Sequence, residues 1–306
     1  MNRLTVLILV IFFLNQCSLN EKSRLWQDKE KKLVNNNNIK KIFSDEKIIT
    51  TEFNKELKLD LSKIQFNNKV LDNKNNYGSQ SYSGLINKIG NYKFSKFDNI
   101  NQLNFKPLFL DNSLIFFDNK GSIIRYDTNQ KVLWKKNHYS KSEKKLKPKL
   151  NFELVGENLL VTDSIAKYYS VNINTGELNW LKNNVYSFNS DIKKDKQIFF
   201  AVDYKNTLRC YNVSDGSECW ALQTENSFMI SNSKYSLIII GNNVIFSNSI
   251  GDITAVDIDS GLINWQLPTQ SSSILQESYN FKISKLVSDG KAIFFSNNKQ
   301  EFYSVD

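Results

Sequence analysis

The chain has 306 residues and is basic, with 40 Lys and Arg against 31 Asp and Glu. The excess is lysine dispersed among many asparagines, the composition of a solvated surface, and no stretch interleaves basic residues with exposed aromatics as a nucleic-acid platform does. One histidine, no Cys-x-x-Cys, no Gly-x-Ser-x-Gly and no phosphate loop leave little from which to build a familiar catalytic centre.

The first element is an address. Met1-Asn2-Arg3 starts the chain with a positive charge, and Leu4 to Leu14 is an apolar run closed by Asn15-Gln16-Cys17. A membrane-spanning helix needs ~20 apolar residues, whereas the apolar region of a signal peptide needs ~7–15, so residues 1–17 are expected to direct export. A cysteine directly after such a run resembles the lipobox of bacterial lipoproteins, which implies Cys17 as the lipid attachment point and mature N-terminus. Asn15 and Gln16 depart from the small residues preferred there, and a soluble secreted protein cleaved nearby is the alternative.

Residues 18–89 are charged and Asn-rich, with the tract Asn35 to Asn38 and little sustained apolar periodicity, and are expected to be a polar, largely disordered tether. Residues 90–306 change character. Runs of Ile, Val, Leu, Phe and Tyr alternate there with turns rich in Asn, Asp, Gly and Ser, the pattern of short strands.

These strands repeat. Asp127, Asn172, Asn212, Asp257 and Asp306 recur at intervals of 45, 40, 45 and 49, and nine residues before each stands Asp118, Asp163, Asp203, Asn248 or Asn297. A tryptophan follows the first four anchors by seven or eight residues: Trp134, Trp180, Trp220 and Trp265. In three copies a glycine (Gly176, Gly216, Gly261) lies four residues before the tryptophan, the chemistry of a turn that closes in a left-handed conformation. Gln130 breaks this rule, in a loop one residue shorter. Four antiparallel strands per ~40–45 residues is the arithmetic of a β-propeller blade, so the fold expected is all-β, a propeller of about five blades. Each blade has two apolar faces and must stack on its neighbours to bury them.

The stretch Gly251 to Trp265, Gly-Asp-Ile-Thr-Ala-Val-Asp-Ile-Asp-Ser-Gly-Leu-Ile-Asn-Trp, resembles the PQQ-like propeller repeat, and the likeness runs from about Phe105 to Asp306. With an export signal and a lipid-type cysteine, the chain is similar to the propeller lipoproteins of the outer-membrane β-barrel assembly machinery, the BamB type. That resemblance implies a non-catalytic scaffold on the periplasmic face of the outer membrane, with barrel-assembly proteins and unfolded barrel strands as partners and no cofactor. The alternatives are another exported propeller binding protein or a quinone-dependent dehydrogenase holding pyrroloquinoline quinone and Ca²⁺. The vicinal Cys-Cys pair that such enzymes carry is missing here.

The fifth copy stops at Asp306, before its turn and last strand. Either Asn91 to Phe97 supplies that strand and clasps a five-bladed ring shut, or the arc is open because the chain is a fragment. His138 is expected in a surface loop, and the lysine-rich stretch 141–149 in another. Cys210 and Cys219 invite a disulfide in an oxidising compartment. Cys210, however, fills a small slot shared with Ser170, Ala255 and Ser304, and a hairpin carrying the Gly216 turn would set the two thiols on opposite faces, which weighs against a bridge.

Overall fold

A computed structural model of the protein describes residues 74–77, 90–95, 105–110, 112–225, 234–269, 283–297 and 301–306. The described residues form four antiparallel sheets of four strands and a fifth of three, each built from strands consecutive in sequence. Sheet one comprises β1 (Leu108–Leu110), β2 (Ser113–Phe117), β3 (Ile123–Asp127) and β4 (Val132–Lys136). The second comprises β5 (Leu150–Val155), β6 (Asn158–Asp163), β7 (Lys167–Asn172) and β8 (Leu178–Asn183). Next come β9 (Lys193–Asp195), β10 (Ile198–Val202), β11 (Thr207–Asn212) and β12 (Glu218–Gln223), then β13 (Leu237–Ile240), β14 (Asn243–Ser247), β15 (Ile253–Asp257) and β16 (Ile263–Leu267). The last sheet holds β17 (Val287–Ser288), β18 (Ile293–Ser296) and β19 (Phe302–Val305). These are propeller blades, and the PQQ-like architecture expected from the repeat is present.

Side chains alternate across each strand, so every blade feeds two cores. In β10, Phe199 and Ala201 pack toward the second blade, whereas Phe200 and Val202 pack toward the fourth. One apolar cluster fills each of the four junctions between consecutive blades. Among the described residues no cluster joins the fifth blade to the first.

The tryptophans key these junctions. Trp134, Trp180 and Trp220 each donate an indole N–H to a carbonyl of the following blade, that of Ile173 at 3.0 Å, Val213 at 2.9 Å and Ile258 at 2.9 Å. Each acceptor is the residue after a repeat anchor. Each ring also lies flat on the next blade's turn glycine. A Cβ placed on Gly176, Gly216 or Gly261 would stand 2.6, 2.5 or 2.6 Å from a ring carbon, and all three glycines have φ near +70°. Only glycine satisfies both demands. Trp265 packs beside the cluster between the fourth and fifth blades.

The residues nine before each anchor close the turns between the two middle strands. The Asp118, Asp163, Asp203 and Asn248 side chains each accept two backbone N–H groups through Oδ1, for example Ile165 and Lys167 at 2.8 Å onto Asp163. Asn297 accepts the Glu301 N–H at 3.1 Å. All five are buried, where unpaired turn amides would be costly, and this explains why only Asp or Asn recurs there.

Of the two ways the last copy could end, the structure shows the open one. Residues 91–95 do not clasp the last blade. Tyr92 packs edge-on against Tyr126, and Phe94 against Phe116 and Tyr126, while Gln130 accepts the Asn91 N–H at 3.0 Å. This strap covers the first blade, and among the described residues β19 pairs only with β18, so the described blades form an open stack and not a closed five-bladed ring. It also accounts for Gln130: among the described residues no preceding tryptophan presses on that turn, so a side chain is accommodated at φ +66°, and the residue without a Cβ is Gly90 on the strap. Residues 74–77, within the stretch 18–89, dock on the blades. The carbonyls of Lys74 and Asn75 accept from Ile239 N (2.8 Å) and Ser288 N (3.1 Å), and the Asn76 amide donates to Leu286 O at 2.9 Å.

Substituting Gly216→Ala forces a left-handed alanine into the Trp180 ring and is expected to cost about 1–3 kcal/mol from backbone strain alone, with the steric clash added. Gln130→Gly, with no ring of the described residues above it, is expected to change stability by less than about 0.5 kcal/mol. Urea denaturation of the two variants beside the parent checks the contrast.

Candidate functional site

The first strand of each blade is the inner one, and β5, β9, β13 and β17 contact one another in succession. At or just before the start of these strands, twenty-one residues ahead of each anchor, stand Lys106, Asn151, Asp191, Ser236 and Lys285. They form one polar level of the axis. Lys234 Nζ bridges Asn151 Oδ1 at 2.6 Å and Asp191 Oδ1 at 3.1 Å, and its ammonium lies 3.9 Å from the Phe105 ring centroid. Lys285 Nζ is 3.5 Å from the other Asp191 oxygen. Lys193 donates to Asn76 Oδ1 at 2.7 Å, so the docked N-terminal residues belong to the same cluster.

Two cavities open here. One of about 120 Å³ is lined by Asn76, Lys106, Asn151, Glu153, Asp191 and Lys193. The other, about 310 Å³, is lined by Phe105, Lys147, Lys149, Tyr204 and Lys234 among others.

The electrostatics follow from the count of charges. Burial works against ionised Asp191, yet Lys234 and Lys285 outweigh it and hold the carboxyl at about 2. Lys106 is pushed down first by the like charge of Lys285 and then by burial. Burial brings Lys193 down to about 8 despite Asp191 and Glu153. Lys106, Lys193, Lys234 and Lys285 share Asp191 and Glu153, and Glu153 also pairs with Lys194 at 3.7 Å. Among the described residues the axial mouth thus has surplus positive charge and favours anionic groups over cations.

The other residues singled out from sequence fall elsewhere. Cys17 and the leader lie outside the described residues. Asp127, Asn172 and Asp257 accept backbone N–H groups of the turns that follow them, Asn212 donates to Ser217 Oγ at 2.8 Å, and Asp306 follows β19. None of these lines the axial cavities. His138 is not in a free surface loop: its Nε2 is buried without a partner, its ring meets Tyr169 edge-on, and burial lowers its pKa against the Gly176 carbonyl. Next to it, the Tyr139 hydroxyl donates to Asp163 Oδ2 at 2.6 Å, and burial raises that carboxyl to about 6. The lysine-rich stretch begins with a short helix, α1 (Lys141–Lys145), capped reciprocally by Ser140 and Glu143. Among the described residues no three His, Cys, Asp or Glu side chains group as a metal-ligand set.

The axial level was missed in the sequence because the residues differ in type, although their fixed distance from the anchors marks them.

A stack of four-stranded blades with a polar axis and tryptophan-keyed junctions defines the class: a PQQ-like β-propeller. The family described as outer membrane protein assembly factor BamB matches residues 119–306, more than half of the chain, and the chain belongs to that family. Among solved structures, the crystal structure of BamB from Moraxella catarrhalis is similar at 15% identity and a TM-score of 0.50, covering 65% of this chain and 60% of that one. A europium-containing methanol dehydrogenase is similar at 13% identity and a TM-score of 0.46, over 54% of this chain and 41% of that one. At 15% identity the likeness to the Moraxella catarrhalis protein is one of fold alone. No curated protein sequence matches the chain.

Because Asp191 titrates lower in the folded chain than the ~3.9 of an unfolded aspartate, its ion pairs contribute stability that is present above pH ~4 and lost as pH falls toward 2. Asp191→Asn is expected to lower stability at neutral pH, where it strands Lys234 and Lys285, and to flatten the acid limb between pH ~4 and ~2. Thermal melts of both proteins across that range test this.

Proposed function

We propose that the chain is a non-catalytic scaffold of the outer-membrane β-barrel assembly machinery, held on the periplasmic face by a lipid on Cys17. The observation that carries this reading is the BamB-family match over residues 119–306, joined to an apolar leader that ends in Cys17. A polar tether between the two would let the blades stand off the membrane.

The architecture suits a scaffold. β4, β8, β12 and β16 each end a sheet with one edge unpaired among the described residues, and such edges accept an extended strand by backbone hydrogen bonding, the mode that fits unfolded barrel strands. Val185 and Tyr186, in the connection between the second and third blades, are exposed by 78% and 42%. Apolar side chains displayed on a blade-end loop beside a polar axis are the components of a docking surface.

Two experiments test the proposal. The full chain, expressed in a Gram-negative host, is expected in the outer-membrane fraction, and Cys17→Ser is expected to release it to the soluble periplasm. Detergent extracts of the parent are expected to yield the barrel-assembly core in pull-downs. Absence of that core, together with tight binding of pyrroloquinoline quinone and Ca²⁺ by the purified protein, would replace the scaffold reading with the quinone-dependent one.

A further inference from the structure

We infer that Cys210 and Cys219 are a built redox pair that closes to a disulfide in an oxidising environment, tying β11 to β12 beside Trp220. The two residues lie on neighbouring antiparallel strands, and both thiols are free in the structure. Cys210 pairs with Trp220, and Tyr211 pairs with Glu218, so Cys219 is the extra residue of a bulge. A regular ladder would turn the residue beside Trp220 to the opposite face. A bulge sets two residues against one and breaks that alternation.

The same bulge recurs at the same place in the first, second and fourth blades, and the second blade shows what it does to side chains. There Asn179 holds the place of Cys219, and Ser170 that of Cys210. The Asn179 amide donates to Ser170 Oγ at 3.1 Å, so the two side chains meet on one side of the sheet. A cysteine sulfur takes the position of the asparagine Cγ, one bond short of that amide nitrogen. By this equivalence the two sulfurs face each other across the bulge, separated by a side-chain rotation. The proximity also shows in the Cys210 thiol, which is raised by burial first and by Cys219 second. The first and fourth blades carry Arg125 with Leu133 and Ala255 with Asn264 at these positions, so the pair is particular to the third blade.

Accessibility orders the chemistry. Cys219 is exposed and Cys210 buried, so a disulfide oxidant meets Cys219 first. The Cys219 thiolate attacks one sulfur of the oxidant and releases a thiolate, leaving a mixed disulfide. The Cys210 thiolate then attacks Cys219 Sγ and expels the second thiolate. Two protein S–H bonds are lost, one S–S bond forms, and two electrons and two protons leave with the reduced oxidant. The closed loop contains the Gly216 turn on which Trp180 sits, and its far end adjoins Trp220, which reaches Ile258. One bond would therefore stiffen the junctions on both sides of the third blade.

The test uses the full chain, purified reduced, then held under native conditions in a glutathione buffer rich in the oxidised form, alkylated and digested with trypsin. Both cysteines fall in one peptide, Cys210 to Lys234, and Cys17 falls in another. The expected peptide lacks two hydrogens and carries no alkyl group, and the oxidised protein melts at a higher temperature than the reduced one. Cys210→Ser is expected to stop at glutathione bound to Cys219. A parent peptide alkylated at both cysteines, or one holding glutathione on Cys219 with Cys210 still alkylated, overturns the inference. Because the buffer supplies the oxidant, the outcome does not depend on export, which fractionation examines separately.

Discussion

The indoles of Trp134, Trp180 and Trp220 each rest on a turn of the next blade that has no side chain to keep them away, and each donates its one N–H to the carbonyl beside that turn. A buried tryptophan removes ~150–250 Å² from water, a large share of any blade junction. The hydrogen bond adds direction, because an indole that slid along the neighbouring blade would bury an unpaired donor. Area holds the blades together, and the N–H sets their register. The first blade shows the same rule from its other side: with no tryptophan arriving from the described residues, the turn keeps Gln130 at positive φ and accepts a strap of Gly90 to Ser95 instead.

The polar residues divide into two groups with different duties. The acids and amides nine residues before the anchors are buried and take backbone N–H groups through Oδ1, with side-chain partners such as Tyr139 and Arg209 on Oδ2, so their chemistry is spent on the fold. The axial residues differ from blade to blade, from lysine to asparagine to aspartate to serine, and leave the axial mouth with more ammonium than carboxylate. A repeated framework with a variable lining suits a binding protein, since the framework tolerates change wherever it is not closing a turn or seating a ring.

Much of this was legible in the residue order. Glycine, tryptophan and the paired Asp or Asn positions are dictated by local geometry, and each leaves a signature at a constant spacing. Less legible were features created by adjacency across strands. The bulge opposite Cys210 inverts the face on which Cys219 stands, and no count of alternating residues shows that. His138 reads as a loop residue because its neighbours are polar, yet Tyr169 of the next blade covers it. Lys74 to Tyr77 sit in an Asn-rich stretch without apolar periodicity, and their contacts with β13 and β17 run through backbone carbonyls and one amide.

The amino-acid sequence alone determined the blade, its strands, its turns and its need for neighbours, since those follow from alternation, left-handed turn positions and the area of an indole. Tertiary structure decided which residues meet at the axis, where the strap lies and that the ring stays open. The physical reason is distance along the chain: a turn is chosen within a few residues, whereas Lys106, Asp191 and Lys285 become neighbours only after five sheets have stacked.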